Sequence, residues 1–226
     1  MRHGTTGPAR WLHVRVRVST WGEDLAALMP PPGSPRWLLG ISGAPGAGKS
    51  SLASFLAERL GDRAAHVPMD GFHLADVELA RQGILDRKGA PETFDALGYA
   101  ALLERLRTRP AETVYAPGFD RELEQPLAGA ICVPPSVDVV VTEGNYLLLD
   151  NPGWREVRAR LDEVWHVRCD ERLRLERLLA RHVRFGKSRS EAEGWVARVD
   201  GPNARLVEAV AHHADRVLDL SGWRVG

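Results

Sequence analysis

Lysine is almost missing from this chain. Of thirty basic residues only Lys49, Lys88 and Lys187 are lysine, and the rest are arginine. Cysteine is scarcer still. Cys132 and Cys169 are too few for a disulfide framework or a cysteine-based zinc site, and they read as free thiols in a reducing cytoplasm. No charge excess exists either: thirty acidic residues balance the thirty basic ones, so nothing draws the chain in bulk to nucleic acid or an anionic membrane. No apolar run reaches the roughly 18 residues of a membrane-spanning helix. The opening MRHGTTGPARW lacks the apolar stretch and small-residue cleavage site of a secretion signal. What remains is 226 residues, 44% hydrophobic and 27% charged, a composition suited to one good core in a cytoplasmic protein.

Residues 1–36 read as an N-terminal extension without recognisable chemistry. Trp11–Val18 alternates like a short strand, Glu23–Met29 suits two helical turns, and the PPPGSP of Pro30–Pro35 breaks regular structure. From Trp37 to residue 226 short apolar runs alternate with helical spacings. Strands are expected at WLLGIS, Ala64–Asp70, Val137–Gly144, Glu163–Cys169 and RVLDL, with TVYAPGF and AICVPP as two more around a polar loop. Helices are expected between them, including Ser190–Val199 and Asn203–Ala214. This order predicts an α/β fold with a mainly parallel sheet and helices on both faces.

The sharpest signal is GAPGAGKS, Gly43-Ala44-Pro45-Gly46-Ala47-Gly48-Lys49-Ser50, between an apolar strand and the amphipathic SSLASFLAERL. Glycines admit left-handed backbone and let amide groups curl around phosphate oxygens. The loop then delivers those oxygens to a helix N-terminus, which favours negative charge. In such a loop Lys49 reaches the outer phosphates of ATP, Ser50 ligates Mg²⁺ and Ser51 reaches the α phosphate. A glycine-rich turn with an incidental lysine is the bland alternative.

Nothing matches the N-K-x-D of GTPases or the LSGGQ of transporter ATPases. Two acids stand where strands should end beside the loop. Glu143 follows VVVT and is read as a second ligand for the metal and its waters, with an ordinary surface acid as its alternative; Asp70, in VPMDGFH, is read as the base that takes an attacking hydroxyl's proton, with a helix N-cap as its alternative.

Together GAPGAGKS, MDGFH, RKGAPETFD, EGNYLLL and RLLARH resemble the uridine kinase, phosphoribulokinase and type I pantothenate kinase family, from about residue 20 onward. The likeness is nearest to its bacterial fructose-transport-associated, nucleoside kinase-like branch. It implies a P-loop fold with a helical lid, and transfer of the γ-phosphate of ATP, with Mg²⁺, to a hydroxyl of a nucleoside, a pantothenate-like compound or a sugar. On it Lys49, Asp70, Glu143 and Arg181 are the catalytic candidates. Asp70, His73, Phe94, Asp95, Tyr115, Phe119 and Tyr146 are acceptor-binding candidates, with Arg121 beside them, and Asp95 reads equally as the cap of the next helix. Arg177, Arg181, Arg184 and Lys187 share one lid face over the phosphates, Arg177 and Lys187 counting with the loop as nucleotide ligands; a solvated, ion-paired face is the alternative. Asp200 and Asn203 fall near the adenine on this likeness, or cap a helix. The lid sequences Arg177-Leu178 and Arg181-His182 depart from the nucleoside-kinase form, and the long RKGAPETFD leans toward pantothenate-like or sugar acceptors. The partner implied is a small molecule, and a homodimer is compatible. The rival reading is a non-catalytic nucleotide switch, which needs the loop and metal but neither the second carboxylate nor the cationic lid.

Overall fold

A computed structural model describes residues 28–223 together with Arg15, Val16 and Leu25. Its main sheet contains β1 (Arg15–Val16), β2 (Trp37–Gly43), β3 (Ala64–His66), β6 (Val139–Gly144), β7 (Glu163–Arg168) and β8 (Arg216–Asp219). They lie in the order β1-β8-β7-β2-β6-β3, and every pairing is parallel. The remaining strands, β4 (Val114–Asp120) and β5 (Gln125–Val133), form a separate antiparallel hairpin. The helices are α1 (Lys49–Leu60), α2 (Asp76–Gln82), α3 (Ala96–Arg107), α4 (Pro152–Ala159), α5 (Glu171–Arg184), α6 (Arg189–Trp195) and α7 (Gly201–Ala209).

The central strands are apolar on both sides because both faces of the sheet are covered. Side chains alternate across a strand. Leu38, Val140 and Val164 therefore join Tyr99, Leu103 and Trp154 of α3 and α4 in one core. Their neighbours Leu39, Ile41, Val139, Val141 and Trp165 join Leu52 and Leu56 of α1 in the other. Each such fully buried aliphatic side chain contributes about 2 kcal/mol. Parallel pairing also sends β2, β3 and β6 to one carboxyl edge, where the glycine loop and Asp70 follow the ends of β2 and β3 and Glu143 is the penultimate residue of β6.

Several elements depart from the sequence reading. The strand expected over Ala64–Asp70 stops at His66, and Met69–Phe72 coils into a 3-10 turn. The hairpin presses on that turn: a Cβ on Gly71 would lie 2.4 Å from the Pro117 carbonyl oxygen, so glycine is required there. The helix expected from Asn203 to Ala214 begins at Gly201, where Pro202 suits a first turn, and ends at Ala209, with a 3-10 turn over Ala211–His213. The one expected over Ser190–Val199 becomes α6, opened by a Ser188/Glu191 capping box, followed by a π-helical turn at Val196–Asp200.

Within the strand expected over Trp11–Val18, Arg15 and Val16 pair with Val217 and Leu218 at the sheet edge; its other residues lie outside the described ones. Of Glu23–Met29, Leu25 is helical and buried, Leu28 and Met29 lie in a turn, and the rest lie outside the described residues.

Arg36 is buried and donates to the carbonyls of Val137 (2.8 Å), Leu106 (3.1 Å) and Pro134 (2.9 Å). It ties the chain before β2 to α3 and to the turn before β6. Arg36→Met leaves three carbonyls without this donor, so it is expected to destabilise the fold by about 3 kcal/mol. Urea unfolding measures this directly, and an unchanged midpoint contradicts it.

Candidate active site

The loop after β2 is held from behind. Gly46 and Gly48 adopt left-handed φ angles of 82° and 102°, which a side-chain-bearing residue resists. A Cβ on Gly46 would also stand 2.8 Å from the Arg174 carbonyl oxygen. The buried Arg174 guanidinium donates to the Pro45 carbonyl at 2.9 Å and is held by both oxygens of Glu171. The loop curls over the start of α1, whose first turn carries Lys49 and Ser50.

Lys49 is buried, and its ammonium donates back to the Ala44 carbonyl at 3.1 Å. Burial lowers its pKa to about 8, only partly opposed by Glu143. Ser50 Oγ donates to Glu143 Oε1 at 2.8 Å. Burial, with the nearby Asp70 charge adding to it, pushes the Glu143 carboxyl above the ordinary carboxylate range. Asp70 goes the other way. Burial alone would raise it, but Arg121, His73, Lys49 and Arg181 outweigh burial and hold the carboxyl below its usual value. Two carboxylates in one site are thus pushed in opposite directions, which suits different duties.

Asp70 caps no helix: Pro68 occupies the cap position of the turn, with no side-chain cap bond. Its carboxylate instead forms an ion pair with Arg121. The His73 ring sits 2.8 Å from the Asp70 carbonyl through Nδ1, and stacks on Phe94 and Phe119 at centroid distances of 4.0 and 4.9 Å.

Two hollows meet here. A cavity of about 680 Å³ is lined by Lys49, Ser50, Asp70, His73, Phe94, Phe119, Glu143, Arg181 and Lys187, among others. A depression of about 300 Å³ is lined by Gly46, Gly48, Ser51, Arg177 and Trp223. Lys49, Ser50 and Arg181 line both. All three lysines of the chain line the larger one, Lys88 included.

Not every expected residue arrives. Tyr115 is 61% exposed and faces away. A register irregularity between Ala116 and Gly118 breaks the alternation of β4, so Phe119 lines the cavity while Tyr115 does not. Asp95 caps α3, accepting from the Gly98 amide at 2.8 Å, and is not part of the cavity wall. Tyr146 is fully buried; its hydroxyl donates to the Gly89 carbonyl and its ring packs on Phe94 and Trp154, so it braces the wall from behind.

The lid cations divide. Arg177 belongs to the depression, and Lys187 to the larger cavity, where its ammonium lies 4.8 Å from the Trp195 ring centroid. Arg184 lines neither and lies over Phe185. Asp200 and Asn203 line the larger cavity rather than the depression. Asp200 pairs with His182 at 2.7 Å, and Asn203 donates to the Gly89 carbonyl at 3.1 Å. Sequence reasoning missed Arg174, whose place among the arginines of α5 carries no distinguishing signal, and His182. The π-helical turn that brings Val199 and Asp200 to the wall was equally unannounced.

Known proteins share this plan. The uncharacterised Escherichia coli protein YggC is 34% identical over 202 residues, which span 87% of this chain and 83% of that protein. A Schizosaccharomyces pombe protein provisionally named a uridine kinase is 34% identical over 174 residues, 73% of this chain and 74% of its own. A crystal structure from Silicibacter sp. TM1040, provisionally titled a fructose transport system kinase, is 40% identical, with a TM-score of 0.76 over 85% of this chain and 98% of that one. The chain belongs to the uridine kinase-like P-loop kinases. No protein-family model matches it. The parallel sheet carries the loop on β2, between β7 and β6. No helix among the described residues is long and apolar enough to cross a membrane.

Proposed function

We propose that this P-loop kinase moves the γ-phosphate of ATP to a hydroxyl of a small metabolite, with residues 37–226 as the catalytic unit. The observation that carries this reading is the pair of hollows joined at Lys49, Ser50 and Arg181, with Asp70 and Glu143 on the acceptor side. ATP lies in the depression, its phosphates against the loop amides and Lys49, with Arg177 and Ser51 beside them. The acceptor lies in the larger cavity among His73, Phe94 and Phe119. Its hydroxyl oxygen bonds to the γ phosphorus as the bond to the bridging oxygen breaks; its proton goes to Asp70, and ADP leaves.

The residues also fit Mg²⁺. Ser50 Oγ and Glu143 Oε1, 2.8 Å apart, are hard oxygen donors beside the loop, and such ions complete their shell with phosphate and water rather than a protein cage. Bound there, the ion would neutralise phosphate charge. Lys49 holds the outer phosphates in a buried setting where its charge acts strongly. Arg181, lining both hollows, is placed to meet charge on the moving phosphoryl group and to keep water out.

Acceptor-dependent ADP release across a broad panel of hydroxyl metabolites tests this. A kinase responds to a subset; slow hydrolysis indifferent to every alcohol favours the nucleotide switch.

Lys49 supplies a second check. Its pKa is lowered to about 8 by burial, and phosphates beside it raise that value. ATP binding at pH 8.5 is therefore expected to take up a fraction of a proton, and binding at pH 6.5 less through this group. Calorimetry in buffers of different ionisation enthalpy reads the uptake. Equal proton counts at both pH values contradict it.

A further inference from the structure

The acceptor wall is unusual in how it holds cations. Phe119 receives two of them: Lys88 Nζ lies 5.6 Å and Arg121 Cζ 4.9 Å from its ring centroid. An aromatic face attracts a cation, yet two cations drawn to one ring repel each other unless an anion lies between or beside them. Separate carboxylates meet that need here. Lys88 bonds Asp76 at 2.6 Å and also the Glu124 carbonyl, while Arg121 is paired with Asp70. Lys187, the third cation of this wall outside the loop and α5, rests on Trp195 and has no carboxylate at ion-pair distance among the described residues.

The Arg121 pairing conflicts with catalysis. A carboxylate held by a guanidinium is a weakened base, and Asp70 is the base of the proposed transfer. A neutral hydroxyl compound cannot compete with a carboxylate for a guanidinium, because the charge-assisted bond is roughly twice as strong as a neutral one. A second anion can.

Building on the kinase reading, we propose that the acceptor is itself an anion, a hydroxyl compound carrying a carboxylate or a phosphate. Its charged group is received by Lys88 and Arg121 beside Phe119, with Lys187 facing it from the lid side. Arriving there, it draws Arg121 off Asp70 and frees the base for the hydroxyl. Until an acceptor arrives Arg121 keeps Asp70 engaged, which discourages activation of water in its place.

Matched acceptor sets test this: hexoses, their aldonic acids and their monophosphates, with ATP and Mg²⁺. The expected result is kcat/KM at least tenfold higher for an acid or a phosphate than for its neutral parent. The acid and phosphate arms identify which anion is used. Arg121→Gln and Lys88→Met should each raise KM for that anionic acceptor tenfold or more, while ATP affinity and melting temperature show that the fold persists. Arg121→Lys should restore part of the loss, which a merely structural role would not predict. Arg121→Gln should also raise acceptor-free ATP hydrolysis.

Preferential turnover of neutral parents overturns the anionic acceptor and leaves the kinase reading standing. ATP binding without turnover of any of these compounds, or of any member of the broad hydroxyl panel, sinks both. An unchanged KM in the two variants, with an anion as acceptor, removes Lys88 and Arg121 from its recognition and overturns the proposed subsite.

Discussion

Asp70→Asn is expected to lower phosphoryl transfer by about 10³-fold, the scale of a lost general base, while ATP affinity stays within about twofold. The amide matches the carboxylate in size but cannot take a proton. Asp70 lies on the acceptor cavity and not on the depression beside the loop, so nucleotide contacts survive the change. Loss of its partner leaves Arg121 unpaired, but the Arg121 side chain is 40% exposed and water can solvate it, so the fold should tolerate the exchange. Rapid-quench measurement of a single turnover separates transfer from product release. Full activity in this variant would remove Asp70 from the chemistry. The pH profile adds a sign. Asp70 works deprotonated, and the cations around it hold its pKa below the ordinary range. Activity limited by this group is therefore retained above that lowered pKa and lost as pH falls through it. Arg121→Gln removes the first cation opposing burial in the acceptor-free enzyme, so the acid limb of kcat/KM should move to higher pH.

How much of this was readable follows from what each residue depends on. GAPGAGKS was legible because its demands are local: left-handed glycines and a lysine opening a helix. The central strands were legible because burial on both faces leaves an unbroken apolar run, as in VVVT before Glu143. Asp70 and Glu143 could then be placed by the parallel order alone, without any knowledge of side-chain contacts.

Several of the misplaced residues sit beside an irregularity. Tyr115 and Phe119 share a strand parity, and only the register break between Ala116 and Gly118 gives them different surroundings. Lys187 was extrapolated from the 3.6-residue spacing of α5, yet that helix ends at Arg184, and Gly186, with φ 96°, turns the chain before Lys187 is reached. Asp200 closes a π-helical turn and Asn203 follows it, and such a turn shifts a side chain by a fraction of a turn relative to α-helical expectation. Arg174 was invisible for another reason. Its importance lies in reaching the Pro45 carbonyl across 129 positions of sequence, and no local pattern encodes that. The scarcity of lysine, by contrast, was informative: the three exceptions in an arginine-rich chain line one cavity.

Lys49→Met should have the other large effect, and in two directions at once. Turnover is expected to fall by about 10³-fold, because the ammonium lies beside both hollows and a buried charge acts on phosphate far more strongly than an exposed one. ATP affinity should fall with it. The nucleotide-free protein, however, should become more stable at pH 7. Its lysine is 8% exposed, and burial lowers its pKa from 10.5 to about 8, so the folded state holds this proton less tightly than the unfolded chain does. The resulting penalty is fully present below pH 8 and is relieved as pH rises from 8 toward 10.5, where the unfolded chain binds more protons than the folded one. A methionine carries no such penalty, so the variant should gain about 1–3 kcal/mol at pH 7, and wild type should close that gap as the pH is raised. Urea midpoints at pH 7 and pH 10 give the comparison. A variant less stable than wild type at pH 7 would mean that the Ala44 carbonyl and Glu143 more than offset the burial of this charge, and that the lysine helps to hold the loop in shape. With that penalty present, the site is instead kept ready at a cost to the fold, which the phosphates of ATP then remove.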